Sequence, residues 1–162
     1  METLSWKKGM FKCAYQLMSG TEKVGELKPN RFTTSATGKI EDESYYFKVC
    51  EGLRNRVEII DLNTKETIGK VRFSHWWPKA TIELNGETYQ WKFSNLFETR
   101  WKITDSEQNR VDYKGWTCSG NMQGQLSNHL MSLTGLFIST YYWQMSAIYA
   151  AIFIMPLSSM IS

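Results

Sequence analysis

The sequence predicts a mainly β domain: short antiparallel strands over the first two-thirds of the chain, then a single uncharged helix. Three observations predict it. Aromatic residues make up 14% of the 162 residues, with seven Trp, and such side chains suit pleated, half-buried surfaces. Short alternating segments recur about every ten residues between turn signals, as in an antiparallel barrel or sandwich. Every Lys, Arg, Asp and Glu lies within residues 1–114, so residues 115–162 cannot form an ordinary solvated layer.

The opening "METLSWKKGMFKCAYQLM" carries charges and no continuous apolar run, unlike a secretory leader. Strands are expected from about residue 11, beginning with "FKCAYQLM" and continuing past "SGTEK" into "VGEL". The segment "VEIIDLNTKETIGKVRF" (57–73) reads as a hairpin turning at Asp61 to Lys65. In "ATIELNGETYQWKF", Asn85-Gly86 supplies the two positive-φ positions of a type I′ turn, predicting strands at 79–84 and 87–93. A third hairpin, "TRWKITDSEQNRVDYKG" (99–115), turns at Asp105 to Asn109. Beyond Gly115 the alternation fades, and "GNMQG" reads as a glycine-containing turn. Strands are thus expected over about 11–122, and no Pro- or Gly-rich linker divides residues 1–162, so one domain is predicted.

Period-2 alternation sorts the strand faces. Tyr89, Trp91 and Phe93 point one way and Gln90 and Lys92 the other; Trp101 and Ile103 oppose Arg100 and Lys102. One face is aromatic and aliphatic, the other polar and locally basic.

A helix is expected over about 134–155, with Pro156 as its stop. Leu133, Leu136, Phe137, Tyr141 and Ile148 follow three-and-four spacing, while Ile138, Tyr142, Trp143 and Met145 fill the other sides. A helix apolar all round is buried in protein or in lipid. Gly135 to Leu157 would be about 34 Å long, enough for a bilayer core of about 30 Å. Against a membrane span, the nearest upstream base is Lys114, and Ser139, Thr140, Gln144 and Ser146 interrupt the apolar run. Ten to twelve strands with one apolar face also need covering. Closing into a barrel removes exposed edges, and a barrel of that strand number is too wide for its own side chains to fill. An apolar helix is a suitable plug.

The run from Val57 to Gly115, followed by the uncharged helix, resembles the tubby-like barrel superfamily, which includes tubby C-terminal domains, phospholipid scramblases and LURP-one-related proteins. The resemblance rests on pattern and segment order over about residues 10–157. It implies a closed antiparallel barrel of about twelve strands around a central hydrophobic α-helix. The acidic calcium motif of scramblases has no counterpart here, so neither scrambling nor calcium dependence carries over.

No catalytic constellation emerges. His75 and His129 are the two His; His129 with Cys118 lacks a third, orienting group, and no nucleophile-elbow, zinc-protease, P-loop or dinucleotide-binding motif is present. Cys13, Cys50 and Cys118 are odd in number and far apart, which predicts reduced, mostly buried thiols and a cytosolic setting. No enzyme activity, cofactor or metal is expected.

The suggestive surface feature is basic. Lys48, Lys70, Arg72, Lys92, Arg100 and Lys102 fall on outward strand positions, where they could hold a phosphate-bearing headgroup. Tubby domains bind phosphoinositides through basic barrel residues, so the resemblance points this face toward anionic phospholipid. Nucleic acid is disfavoured, because alternation turns the aromatics of "YQWKF" and "TRWKI" to the opposite face. The expected function is a non-catalytic interaction module, cytoplasmic and peripheral at a membrane, with an anionic lipid surface or a protein as partner. The alternative is a tail-anchored protein whose C-terminal helix spans the membrane.

Overall fold

Among the described residues, twelve antiparallel strands close on themselves in chain order. They are β1 (Glu2–Lys8), β2 (Tyr15–Ser19), β3 (Glu22–Pro29), β4 (Ala36–Ile40), β5 (Glu43–Val49) and β6 (Arg56–Asp61). The second half comprises β7 (Thr67–Phe73), β8 (Lys79–Leu84), β9 (Glu87–Phe93), β10 (Arg100–Thr104), β11 (Arg110–Gly115) and β12 (Ser119–Gly124). A single helix, α1 (His129–Ser159), follows. This computed structural model describes residues 2–9, 13–30, 32–50, 52, 55–107, 109–124 and 129–159; side chains are described for these except Glu2 and residues 153–159.

The hairpins form where the alternation and turn residues predict. β8 and β9 have the expected bounds, and Asn85 and Gly86 take φ of 51° and 84° between them. Asp61 Oδ1 caps the β6–β7 turn by accepting from the amides of Asn63 (2.7 Å) and Thr64 (3.3 Å). Asp105 Oδ1 does the same for Glu107 (2.8 Å) and Asn109 (2.9 Å) between β10 and β11.

Two expectations are corrected at the seam. Strands begin at Glu2, not near residue 11: Leu4 and Trp6 point inward between Thr3 and Lys7, and β1 pairs with both β2 and β12 to close the barrel. The expected start at Phe11 lies outside the described residues. "GNMQG" is not a turn but most of β12, with Met122 buried. Its Gly120 faces the Trp6 ring so closely that a Cβ would overlap it, so the glycine makes room for a tryptophan across the seam.

The inward faces carry Phe47, Ile59, Ile82, Trp91, Trp101 and Tyr113, all essentially inaccessible. The first half of α1 packs on them. Phe137 stacks on Phe47 (4.5 Å between centroids) and Tyr141 on Phe73 (4.1 Å). Trp91 Nε1 donates to the Gly135 carbonyl (3.2 Å), and Tyr113 OH to that of Ser132 (3.3 Å). The hydroxyls that interrupt the apolar run return to the helix: Thr134 to Leu130 O (2.8 Å), Ser139 and Thr140 to Leu136 O (2.8 and 2.9 Å). They are therefore buried without loss of a partner.

The connections define two ends. Tight turns after β2, β4, β6, β8 and β10 form a turn end; the loops after β1, β3, β5, β7, β9 and β11 form a loop end. α1 starts at the turn end, where His129 Nδ1 lies 2.5 Å from Glu41 Oε1. It reaches the loop end at Tyr142, whose hydroxyl donates to the carbonyl of Lys79 (2.8 Å), the first residue of β8.

Burial along α1 departs from expectation. Residues 130–141 are buried, 142–145 partly so, and 146–152 are exposed, in place of burial across 134–155. Side chains 153–155 lie outside the described residues. The reason is length. Strands of about six residues tilted by about 40° make a barrel roughly 15–20 Å tall, and residues 130–141 span about 18 Å at about 1.5 Å each. Anything further must emerge. The helix also continues past Pro156 to Ser159 instead of stopping there.

Gly135 tests this packing. A Cβ there would overlap the Tyr113 hydroxyl and stand 2.8 Å from Ile103 Cδ1. Gly-to-Ala in an open helix gains about 1 kcal/mol; here Gly135→Ala should instead lower unfolding stability by about 1–3 kcal/mol. Urea denaturation measures the sign, and a stabilised variant would refute the packing.

Candidate functional site

All six sequence-predicted basic residues lie on the outer face and none is buried, but they do not form one patch. On β5–β8 the cross-strand row reads Lys48, Glu58, Lys70, Glu83, so each lysine stands beside a carboxylate. Arg72 pairs with Glu83 at 3.4 Å. This side of the barrel is charge-balanced.

On β8–β11 the arrangement differs. Lys79 is directly opposite Lys92, and Lys92 directly opposite Lys102. Arg100 is opposite Lys114 on β11. Among the described residues none of these five cations has an ion-pair partner; Asp112, opposite Lys102, pairs with Arg110 at 2.8 Å. Lys79 and Lys114 were not among the residues predicted from sequence. The two-residue Asn85-Gly86 turn fixes the register that brings Lys79 beside Lys92, so that signal was present.

This cluster belongs to a larger asymmetry. The strand ends at the loop end carry bases, among them Lys8, Lys28, Lys48, Arg56 and Arg72 besides Lys79, Lys92, Arg100 and Lys114, and its described loops carry one acid, Glu98. The turn end is mainly acidic, with Glu41, Asp42, Asp61, Glu66, Asp105 and Glu107 at its turns.

Exposed apolar residues follow the same axis. Phe32, Trp76, Trp77, Leu96, Phe97 and Trp116 sit on four loops of the basic end. Ile148, Tyr149 and Ile152 are on the emerging part of α1 at that end. Together they are all the large hydrophobic residues exposed among those described. The exposure is held by structure: Asn95 Oδ1 accepts from the amides of Thr99 (3.1 Å) and Arg100 (2.9 Å), fixing the loop that presents Leu96 at 99% and Phe97 at 83% exposure. Lys79 N donates to Trp77 O (2.7 Å) in the neighbouring loop. Between the β3–β4 loop and α1 a groove of about 840 Å³ opens, walled by Phe32, Ser35, Lys48, Met145 and Ile148.

The remaining candidates are separated. Cys118 is in the β11–β12 loop and His129 at the opposite end, which rules out a Cys-His pair. His75 is exposed on the β7–β8 loop, with Nε2 3.2 Å from Asn55 Nδ2. Against the expectation of mostly buried thiols, Cys118 is exposed and Cys13 and Cys50 are half-buried, because all three fall on loop-end connections and not on inward strand positions. Among the described residues no group of three His, Cys, Asp or Glu side chains is arranged to hold a metal ion.

Comparison with protein-family models, curated proteins and solved structures found no match.

Around the helix exit, Tyr142 stacks on Trp91 (5.2 Å) and Trp143 meets Trp101 edge-on (5.4 Å). Burial, above all, pushes the Tyr142 and Tyr113 phenols well above their ordinary range. Tyr89 is raised to about 12 by burial and by its hydrogen bond to Glu87. Groups that hold their protons more tightly when folded contribute stability that is complete below the unfolded pKa near 10 and falls as pH rises toward the folded values. Stability should therefore decline above about pH 10, with phenolate absorbance lagging a free-tyrosine curve and completing only on unfolding. Spectrophotometric titration alongside circular dichroism measures both.

Proposed function

We propose that the protein is a non-catalytic β-barrel interaction module that docks peripherally on membranes bearing anionic phospholipid. The buried half of α1 serves in this reading as the barrel's central plug, as the tubby-like resemblance implies. The observation that carries the docking is the unpaired row Lys79, Lys92, Lys102, with Arg100 and Lys114 beside it. Like charges directly opposite on neighbouring strands are destabilising by about 0.2–1 kcal/mol per pair. An anionic surface relieves that repulsion, and it attracts each nearby Lys or Arg by about 1 kcal/mol.

Lipid suits the site better than nucleic acid. Of the nine large apolar residues exposed among those described, six are aromatic and could stack on bases, but Leu96, Ile148 and Ile152 gain nothing from stacking and are suited to hydrocarbon. The tail-anchored alternative is not favoured, since no helix among the described residues is long and apolar enough to cross a membrane. The setting is then the cytosolic, anionic leaflet.

Sedimentation with vesicles tests the docking. Lys92→Glu with Lys102→Glu changes four units of charge and should lower binding to phosphatidylserine-containing vesicles by about a thousandfold, at about 1 kcal/mol per unit. Thermal stability should be little changed, because the pair at 79 and 92 becomes favourable while 92 and 102 remain like-charged and position 102 then faces Asp112. Unchanged sedimentation of the folded variant would sink the reading.

A further inference from the structure

We infer that the loop end is an insertion surface. The emerging part of α1, with the loop tips at Trp76-Trp77 and Leu96-Phe97, enters the headgroup and acyl boundary of an anionic bilayer. This rests on the membrane docking proposed above and adds apolar penetration to a contact that charge alone could make.

The apolar residues are too exposed and too concentrated to be incidental. Scattered surface hydrophobics are normal on a protein, whereas a contiguous exposed set marks an interaction surface. Here every exposed large hydrophobic residue among those described is at one end, and the other end is acidic. Aromatic residues beside Lys and Arg are the composition of membrane-interface elements.

The helix is also aimed. Tyr141 on Phe73, Tyr142 on Lys79 O and Trp143 on Trp101 fix its direction where it leaves the strands. Residues 146–159 continue it by about 21 Å, reach enough for the depth of about 5–10 Å to which interfacial segments bury. They carry no charge. In the unpaired lysine row, Lys79 and Lys92 lie at the ends of β8 and β9 that adjoin these loops and Lys102 midway along β10, close enough to meet phosphates when the tips insert.

A second copy of the chain is the competing occupant. Joining two loop ends would bring two sets of uncompensated cations together, which the charge pattern opposes. An anionic bilayer supplies the opposite sign and hydrocarbon in the same surface.

The experiment uses the full chain with vesicles of phosphatidylcholine and phosphatidylserine, with and without acyl-chain bromine. Brominated chains should quench the exposed Trp emission, and part of the protein should stay bound in about 1 M NaCl, where exposed charges are screened within about 3 Å. Leu96→Ser with Phe97→Ser, and separately Ile148→Asp with Ile152→Asp, should each reduce partitioning about tenfold or more. Their melting temperatures should stay near that of the original chain, since these side chains are exposed. If both apolar variants bind as the original does while Lys92→Glu with Lys102→Glu does not, insertion is overturned and electrostatic docking stands. If the original chain binds no vesicle, both fail. If it dimerises without lipid and the apolar variants are monomeric, the end belongs to a second copy and insertion is overturned.

Discussion

The structure depends on the contact between the first half of α1 and the inward strand residues it packs on. Trp91, bonded to the Gly135 carbonyl, and Phe47, stacked on Phe137, each need the helix as the second half of their environment. Burying a large apolar side chain is worth about 1.5–3 kcal/mol, so residues 130–141 supply a substantial share of the core. Gly38 shows how closely the two are matched: a Cβ there would stand 2.5 Å from Leu133 Cδ2. The hydroxyls of Thr134, Ser139 and Thr140 are bonded within the helix, so these three can face the strands without an unmet polar demand.

That packing accounts for half of the helix. From Tyr142 onward the sequence keeps the same uncharged, apolar character while its surroundings change from protein to solvent. A segment whose composition and environment disagree, in a fold otherwise consistent at every level, is where function is expected to lie. The loops around the exit break the same rule. Strand positions alternate correctly, yet the loops between them present Trp76, Leu96 and Phe97 to water, where polar residues would suffice.

The hairpins were legible because their turn residues set the register. Asn85-Gly86 and the capping carboxylates Asp61 and Asp105 each specify one pairing, and alternation then assigns the faces. The β1 strand was legible too, in Leu4 and Trp6, but the lysines behind it masked the alternation. "GNMQG" misled because glycine in a strand looks like a turn until the tryptophan across the seam is known. The point at which α1 emerges depends on barrel height, a product of strand length and tilt that no residue of the helix encodes. For the site, the outward lysines were readable from alternation, whereas their division into a balanced side and an unpaired row required the registers of β9 against β10 and of β5 through β8, which the Asn85-Gly86 turn does not set.

Charge and apolarity at the loop end act on each other. An exposed apolar surface on a free protein invites association with any similar surface, including its own copies. The uncompensated cations on β8–β11 oppose approach by another such end within about 8 Å at physiological ionic strength. An anionic surface removes that opposition as it arrives, so burial of Leu96, Phe97 and Ile152 becomes favourable once the lysine row has been neutralised. In the proposed docking, the electrostatic contact selects which apolar surface the helix end meets, with the helix held against the strands through Tyr142 and Trp143.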